Sequence, residues 1–371
     1  MAEPDGFVPP PYPYDRLDRL TAIATAHDGG VVDLSIGTPC DPPIDSVIAA
    51  LSTSNAERGY PPSIGSDALR QAIRAWLDRR FDVDVPLAQM AACVGTKELV
   101  ATTPQYLKLR TPSKDTVLYP AVAYPTYEMG ATLAGCRAVP VACRPDGALD
   151  FESIDAADAA RALMIWVNSP SNPTGAITDL GLAAAWGRAN DVPVFSDECY
   201  VEFTWDGPAT SILQHGLDGV VAVHSLSKRS NLAGLRVGFY AGDADLVGYL
   251  KEVRKHVGML VPGPAQAAAT VALADDAHVV VQRDRYRRRL ERLGKVVSVW
   301  SGVDVPFPAG GFYLWFDAGD GWEFAERLAR DGGAVVSPGD FYGAGGTQNV
   351  RAAVVQPDDR IERVAQRLGV L

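Results

Sequence analysis

From Ser66 the apolar residues Leu69, Ile73, Trp76 and Leu77 recur at helical spacing, with Ser66 placed to cap the first turn. Further along, seven short apolar runs stand without polar alternation: Met90 to Val94, Thr116 to Tyr119, Ala138 to Ala142, Ala162 to Val167, Val192 to Ser196, Val220 to His224 and Val237 to Ala241. Segments with a 3.6-residue period, such as Lys97 to Leu109 and Leu180 to Asn190, separate them. A strand whose two faces are both apolar is buried on both. The alternation therefore predicts an α/β fold, with a mostly parallel sheet between layers of helices. Ligands of such sheets bind beyond the carboxyl ends of the strands, which directs attention to the residue after each run.

A chain of 371 residues exceeds what one core usually serves, so two domains are expected. We place a large domain at residues 41–279 and a smaller α/β domain in residues 1–40 and 280–371. The Pro-rich arm Pro9 to Pro13 is expected to be extended and to reach a neighbouring subunit. A long helix from His278 carries Arg283, Arg285, Arg287, Arg288 and Arg289, which we read as a solvated face.

Composition narrows the function classes. An apolar fraction of 47% and a charged fraction of 21% are those of a globular chain. A formal charge of −11 speaks against nucleic acid as the main partner. No run approaches the roughly 20 apolar residues a membrane span needs, and the first residues are acidic and proline-rich, so a cytoplasmic protein is expected. Cys40, Cys93, Cys136, Cys143 and Cys199 are odd in number and unpaired in spacing, which reads as buried small hydrophobes. The five histidines show no metal-ligand spacing, and no metal is expected.

Neither a GxxxxGK[ST] loop, a GxGxxG turn nor a GxSxG elbow is present. Instead, polar residues follow the predicted strands: Asn168 to Gly175 after one, Asp197 to Tyr200 after the next, and Ser225-Leu-Ser-Lys228 with Arg236 after a third. They would converge on one crevice holding an amine, a carboxylate, hydroxyls and a guanidinium, a set suited to an anionic aromatic aldehyde. A lysine amine forms an imine with an aldehyde, and a buried carboxylate keeps a pyridine nitrogen protonated. Backbone amides of Gly95, Thr96 and Lys97, at a helix start, suit a phosphate, with Ser225, Ser227 and Arg236 completing the cup.

On these residues, and on Asn172-Pro-Thr-Gly175, Arg236-Val-Gly-Phe239 and Arg351, the chain resembles over its whole length the class I/II aminotransferases of pyridoxal phosphate (PLP) fold type I. The resemblance implies that Lys228 carries the cofactor as a Schiff base and then acts as the catalytic base. It implies that Asp197 partners the pyridine nitrogen, that Asn172 and Tyr200 partner the ring hydroxyl, and that Tyr124 stacks on the ring. It further implies that Arg351 holds the substrate α-carboxylate with Gly37 beside it. Tyr60 would reach the phosphate of a partner subunit, giving a homodimer with shared sites. Lys97 departs from the pattern, since many members have a small or amide side chain there; it is left facing solvent, pairing near Glu98, or pointing toward substrate.

Longer stretches, among them Val32 to Pro39, Arg254 to Met259 and Ser337 to Tyr342, resemble one subgroup, the N-succinyldiaminopimelate aminotransferases. That implies ping-pong exchange of an amino group between L-glutamate and N-succinyl-2-amino-6-oxopimelate. A second cation should then meet the distal carboxylate, with Lys97, Arg229 and Lys255 the candidates. Alternative readings are an aminotransferase for aspartate, aromatic or branched substrates, a C–S lyase of the same fold, or a regulatory protein built on it.

Overall fold

A computed structural model describes residues 6–370. Helix α1 spans Asp67–Phe81, and the Leu69 N–H donates to Ser66 Oγ at 3.2 Å, so the cap falls where the sequence puts it. All seven apolar runs are strands: β1 (Met90–Cys93), β2 (Thr116–Pro120), β3 (Arg137–Val141), β4 (Ala162–Asn168), β5 (Val194–Asp197), β6 (Val220–Ser225) and β7 (Gly238–Gly242). The run expected from Val192 begins two residues late. The Val192 N–H closes the end of the preceding helix by donating to Gly187 O at 2.9 Å and so does not enter the ladder.

These strands form one sheet in the order β1-β7-β6-β5-β4-β2-β3. Only β7 runs against its neighbours. Helices α2 (Thr96–Arg110) and α3 (Leu180–Asn190) match the two periodic segments. Along β4, Ile165 and Val167 join a core with Trp76 and Leu213, whereas Met164 and Trp166 join another with Phe195 and Tyr240. Both faces of the sheet are therefore covered, as unbroken apolar runs require.

The four-residue helix α4 (Leu226–Arg229) follows β6. Helix α5 (Ala277–Ser301) leads to an antiparallel sheet of β8 (Tyr313–Asp317), β9 (Ser337–Pro338) and β10 (Asn349–Ala353), in the order β9-β10-β8. Val32–Asp33 pairs in parallel with Ala334–Val335, and a third core joins Leu17, Leu20 and Leu34 to Phe316, Leu328 and Val350.

The reading of the α5 arginines as one solvated face is corrected. Arg287 and Arg288 are exposed, but Arg289 is buried between Asp41 and Asp358, and Arg283 donates to the carbonyls of Glu202 and Thr204. A guanidinium can span between segments, so charge density along a helix does not report exposure. The cysteine reading holds only for Cys93 and Cys199; Cys40 is exposed, and Cys136 and Cys143 are intermediate. Among the described residues, no helix is long and apolar enough to cross a membrane.

Candidate active site

The carboxyl ends of β4, β5 and β6 open onto a cavity of about 270 Å³. The strand-end turns are built to hold their side chains. Asn168 closes β4 and ties two turns together: its Nδ2 donates to Asp197 O at 2.8 Å and its Oδ1 accepts the Asn172 N–H at 2.7 Å. Gly175 ends that turn at φ 72°, where an added Cβ would sit 2.6 Å from Gly310 O. After β6, Ser225 Oγ caps α4 by accepting the Ser227 N–H at 3.1 Å, which places Lys228 in the only turn of that helix.

Lys228 lines the cavity, and its Nζ donates to Gly37 O, 5.7 Å from the Phe312 ring centre. Burial pushes the amine down to about 8; Cys199 opposes this, and the positive charges of Arg351 and Arg236 add to it. Asp197, 6% exposed, accepts from Tyr127 Oη at 2.9 Å and from the Cys199 N–H at 3.2 Å. Desolvation raises its carboxyl above the ordinary range, against those hydrogen bonds and the charge of Lys228. A buried acid so placed is stabilised as an anion by a cationic heteroatom beside it.

At the other end, Gly95 caps α2 with φ 72°. A Cβ there would fall 2.1 Å from Arg236 Nη2, so the guanidinium packs directly on the glycine. Arg236 itself adopts φ 54°, with Nη1 donating to Ala233 O at 2.9 Å. Thr96, Ser225, Ser227 and Arg236 line this end of the cavity. A helix N-terminus facing a guanidinium is an anion seat.

Arg351, 1% exposed, donates to Asn172 Oδ1 at 2.8 Å, to Tyr14 Oη at 3.1 Å and to Ser35 O. Its guanidinium lies 4.1 Å from the Tyr313 ring centre and makes no ion pair with any described carboxylate. Lys97, Lys228, Arg236 and Arg351 thus line the cavity with Asp197 as the single acid, in a chain of net charge −11. This local excess of cations suits a ligand bearing phosphate and carboxylate groups. An amine, a buried acid, an anion seat and the cavity-lining ring of Tyr124 together fit PLP.

Of the residues expected at the site, Gly37, Thr96, Lys97, Tyr124, Asn172, Tyr200, Ser225 and Ser227 line the cavity with the groups above, and Gly95 borders it through Arg236. Tyr60 does not: it is 97% exposed and edges a second hollow of about 570 Å³ beside Gly263 and Gln266. Two candidates for a second cation fall away. Arg229 is buried against Glu202 and Asp276, and Lys255 is exposed outside the cavity near Glu252. Lys97 remains, with Nζ 3.1 Å from Tyr12 Oη and 4.7 Å from that ring centre.

Sequence reasoning missed Tyr14, Tyr127 and Tyr313. Tyr127 stands three residues after Tyr124, and the two rings meet edge to face with centroids 5.9 Å apart. Tyr313 and Arg351 lie on paired strands, which no spacing along the chain reports.

The model of the family described as "Aminotransferase class I and II" matches residues 29–368. The chain is 42% identical to the 4-dedimethylamino-4-oxo-anhydrotetracycline transaminase OxyQ of Streptomyces rimosus, over 97% of this chain and 99% of that one. It is 33% identical to an LL-diaminopimelate aminotransferase of Syntrophobacter fumaroxidans, over 98% and 96%. Among solved structures, a probable N-succinyldiaminopimelate aminotransferase of Thermus thermophilus superposes with a TM-score of 0.86 at 28% identity, covering 96% of this chain and 98% of that one.

Proposed function

This chain belongs to the class I and II aminotransferases and is PLP dependent, and from that premise we propose that it moves an amino group between L-glutamate and an oxo acid of the diaminopimelate class, N-succinyl-2-amino-6-oxopimelate being the candidate acceptor. The observation that carries the reading is Arg351: a buried guanidinium without a described acid partner, lining the same cavity as the Lys228 amine and the Asp197 carboxylate.

When bound, PLP supplies an aldehyde for amines and a ring that takes up the electron pair left by a departing α-proton. Lys228 Nζ, its basicity lowered by burial, would move that proton from the donor's α-carbon to the cofactor, and in the second half-reaction would carry a proton back to the α-carbon of the oxo acid. Asp197 would keep the ring nitrogen protonated, and Asn172 and Tyr200 would hold the ring hydroxyl. The backbone amides of Gly95 and Thr96, with Ser225, Ser227 and Arg236, would hold the phosphate, and Tyr124 would cover the ring. Arg351 binds the α-carboxylate in both half-reactions, a charged hydrogen bond of that kind contributing about 1.5–3 kcal/mol. Gly37 carries no side chain, so its backbone stays close to Lys228 and to the substrate. Lys97, at the Tyr12 side of the cavity, meets the distal carboxylate.

The same reading holds residues 41–279 as a large domain and residues 1–40 with 280–371 as a small one. It also holds a homodimer in which the exposed Tyr60 crosses to the partner's phosphate. Mixing Tyr60→Phe with Lys228→Ala protein tests this, since hybrid dimers of that design regain one intact site.

A second reading is favoured by the 42% identity to OxyQ: an acceptor that is a flat polycyclic ketone, packed on Tyr12 at the cavity's aromatic side. A panel of acceptors with glutamate as donor separates the two. Preference for the succinylated oxo acid, lost at least tenfold in kcat/KM in Lys97→Gln but retained for pyruvate, supports the first. Indifference of the succinylated acceptor to Lys97→Gln, with turnover of the polycyclic ketone, replaces it with the second.

A further inference from the structure

Tyr200 and Tyr313 face each other with their hydroxyl oxygens 2.9 Å apart, both buried, both at the wall of the cavity. Strand pairing brings Tyr313 there. In the β8–β10 ladder Arg351 is opposite Trp315 and Ala353 is opposite Tyr313, so Arg351 and Tyr313 are diagonal neighbours on one face, and the guanidinium lies over the phenol ring. The Tyr313 hydroxyl also abuts Gly37 so closely that a Cβ on that glycine would lie 1.9 Å from the oxygen. It has little room to turn away.

Two phenols bring two protons to one shared hydrogen bond, so one O–H is always left over. The position of Arg351 decides which. Burial raises both phenols and Arg351 opposes this at both, but its guanidinium lies directly over the Tyr313 ring, 4.1 Å from the centre, and Tyr313 is raised less than Tyr200, which makes Tyr313 the better donor of the two. The Tyr200 oxygen then accepts, and its own proton is free.

We propose that Tyr313 is a positioning residue for Tyr200, donating to its oxygen so that the Tyr200 proton points into the cavity and toward the cofactor. This rests on the reading of the cavity as a PLP site. An O–H whose oxygen already accepts a hydrogen bond is itself a stronger donor. Tyr313 thereby strengthens the hold of Tyr200 on the cofactor's anionic ring oxygen without touching the cofactor.

The test is the pH at which bound cofactor changes its absorbance, measured on holoenzyme by titration, with the cofactor dissociation constant as a second readout. Weaker donation by Tyr200 leaves the cofactor–Lys228 linkage more basic. Tyr313→Phe keeps the ring under Arg351 and should raise the midpoint by up to about one pH unit and loosen cofactor binding a fewfold. In a Tyr200→Phe background the same substitution should add no shift, because its route is gone. An unchanged midpoint in Tyr313→Phe, or an equal shift in both backgrounds, overturns the proposal. Wild-type protein that takes up no PLP overturns the reading of the site, and this proposal with it.

Discussion

Tyr127 Oη donates to Asp197 Oδ2 at 2.9 Å, and the Tyr127 ring lies against Trp166 with centroids 5.2 Å apart and planes 20° from parallel. The acid behind the cavity is thus fixed by a phenol that is itself fixed by packing. Tyr127→Phe keeps the packing and deletes one hydrogen bond to a charged group, worth about 1.5–3 kcal/mol. Turnover should fall by about tenfold or more with a smaller change in KM, and cofactor should wash out faster on dialysis. Steady-state kinetics beside retained absorbance checks both.

Capture of free PLP by the apoenzyme should depend on the protonation of Lys228. Its amine is depressed to about 8, and only the neutral amine attacks an aldehyde. The sign is fixed: below about pH 8 the ammonium form predominates and the rate rises about tenfold per pH unit; above it the rate levels off. Stopped-flow absorbance on apoenzyme gives the curve. A midpoint near the ordinary lysine value of 10.5 would contradict the burial that depresses the amine.

The sheet and the strand-end residues were legible because both are local: an apolar run is a buried strand, and the residue after it lies at the sheet's edge. Ser66 was placed by the helical period that follows it, and Asn172, Asp197 and Lys228 by lying at or within a few residues of a strand end. What stayed hidden depends on pairing across distance. Arg229 and Arg289 read as candidate ligand or solvated charge, yet each is buried between acids from remote segments. Tyr313 joins the site through the β8–β10 register, and Tyr14 through a hydrogen bond from Arg351 across 337 positions of sequence.

Gly95→Ala should damage cofactor binding with little effect on the rest of the fold. Its φ of 72° is one that only glycine adopts freely, and the new methyl would displace Arg236 from a contact 2.1 Å away. The expected outcome is a dissociation constant for PLP raised at least tenfold, with apoenzyme melting shifted by only a few degrees. Fluorescence titration of apoenzyme with PLP measures the first, and calorimetry the second.

Glu198 and His224 lie behind the site, fully buried, with Oε2 and Nε2 3.3 Å apart, and their proton balance makes a prediction about stability. Burial raises the Glu198 carboxyl to about 7, opposed by hydrogen bonds from Ile212 and Ser211, and depresses the His224 ring to about 3. Between those values the folded pair holds one proton, on Glu198. Unfolded, with ordinary values of 4.5 and 6.5, the two residues also hold one proton between pH 4.5 and 6.5, but on the histidine. Folding then neither takes up nor releases a proton through this pair in that window, and its stability contribution there is flat. Each residue alone behaves otherwise. Glu198→Gln leaves the depressed histidine, whose stability is present above pH 6.5 and lost as pH falls toward 3. His224→Gln leaves the raised carboxyl, whose stability is present below pH 4.5 and lost as pH rises through 7. Urea unfolding of apoenzyme from pH 4.5 to 7.5 should therefore give slopes of opposite sign for the two variants, relative to wild type. Parallel curves for all three would mean that folding does not move the proton from His224 to Glu198.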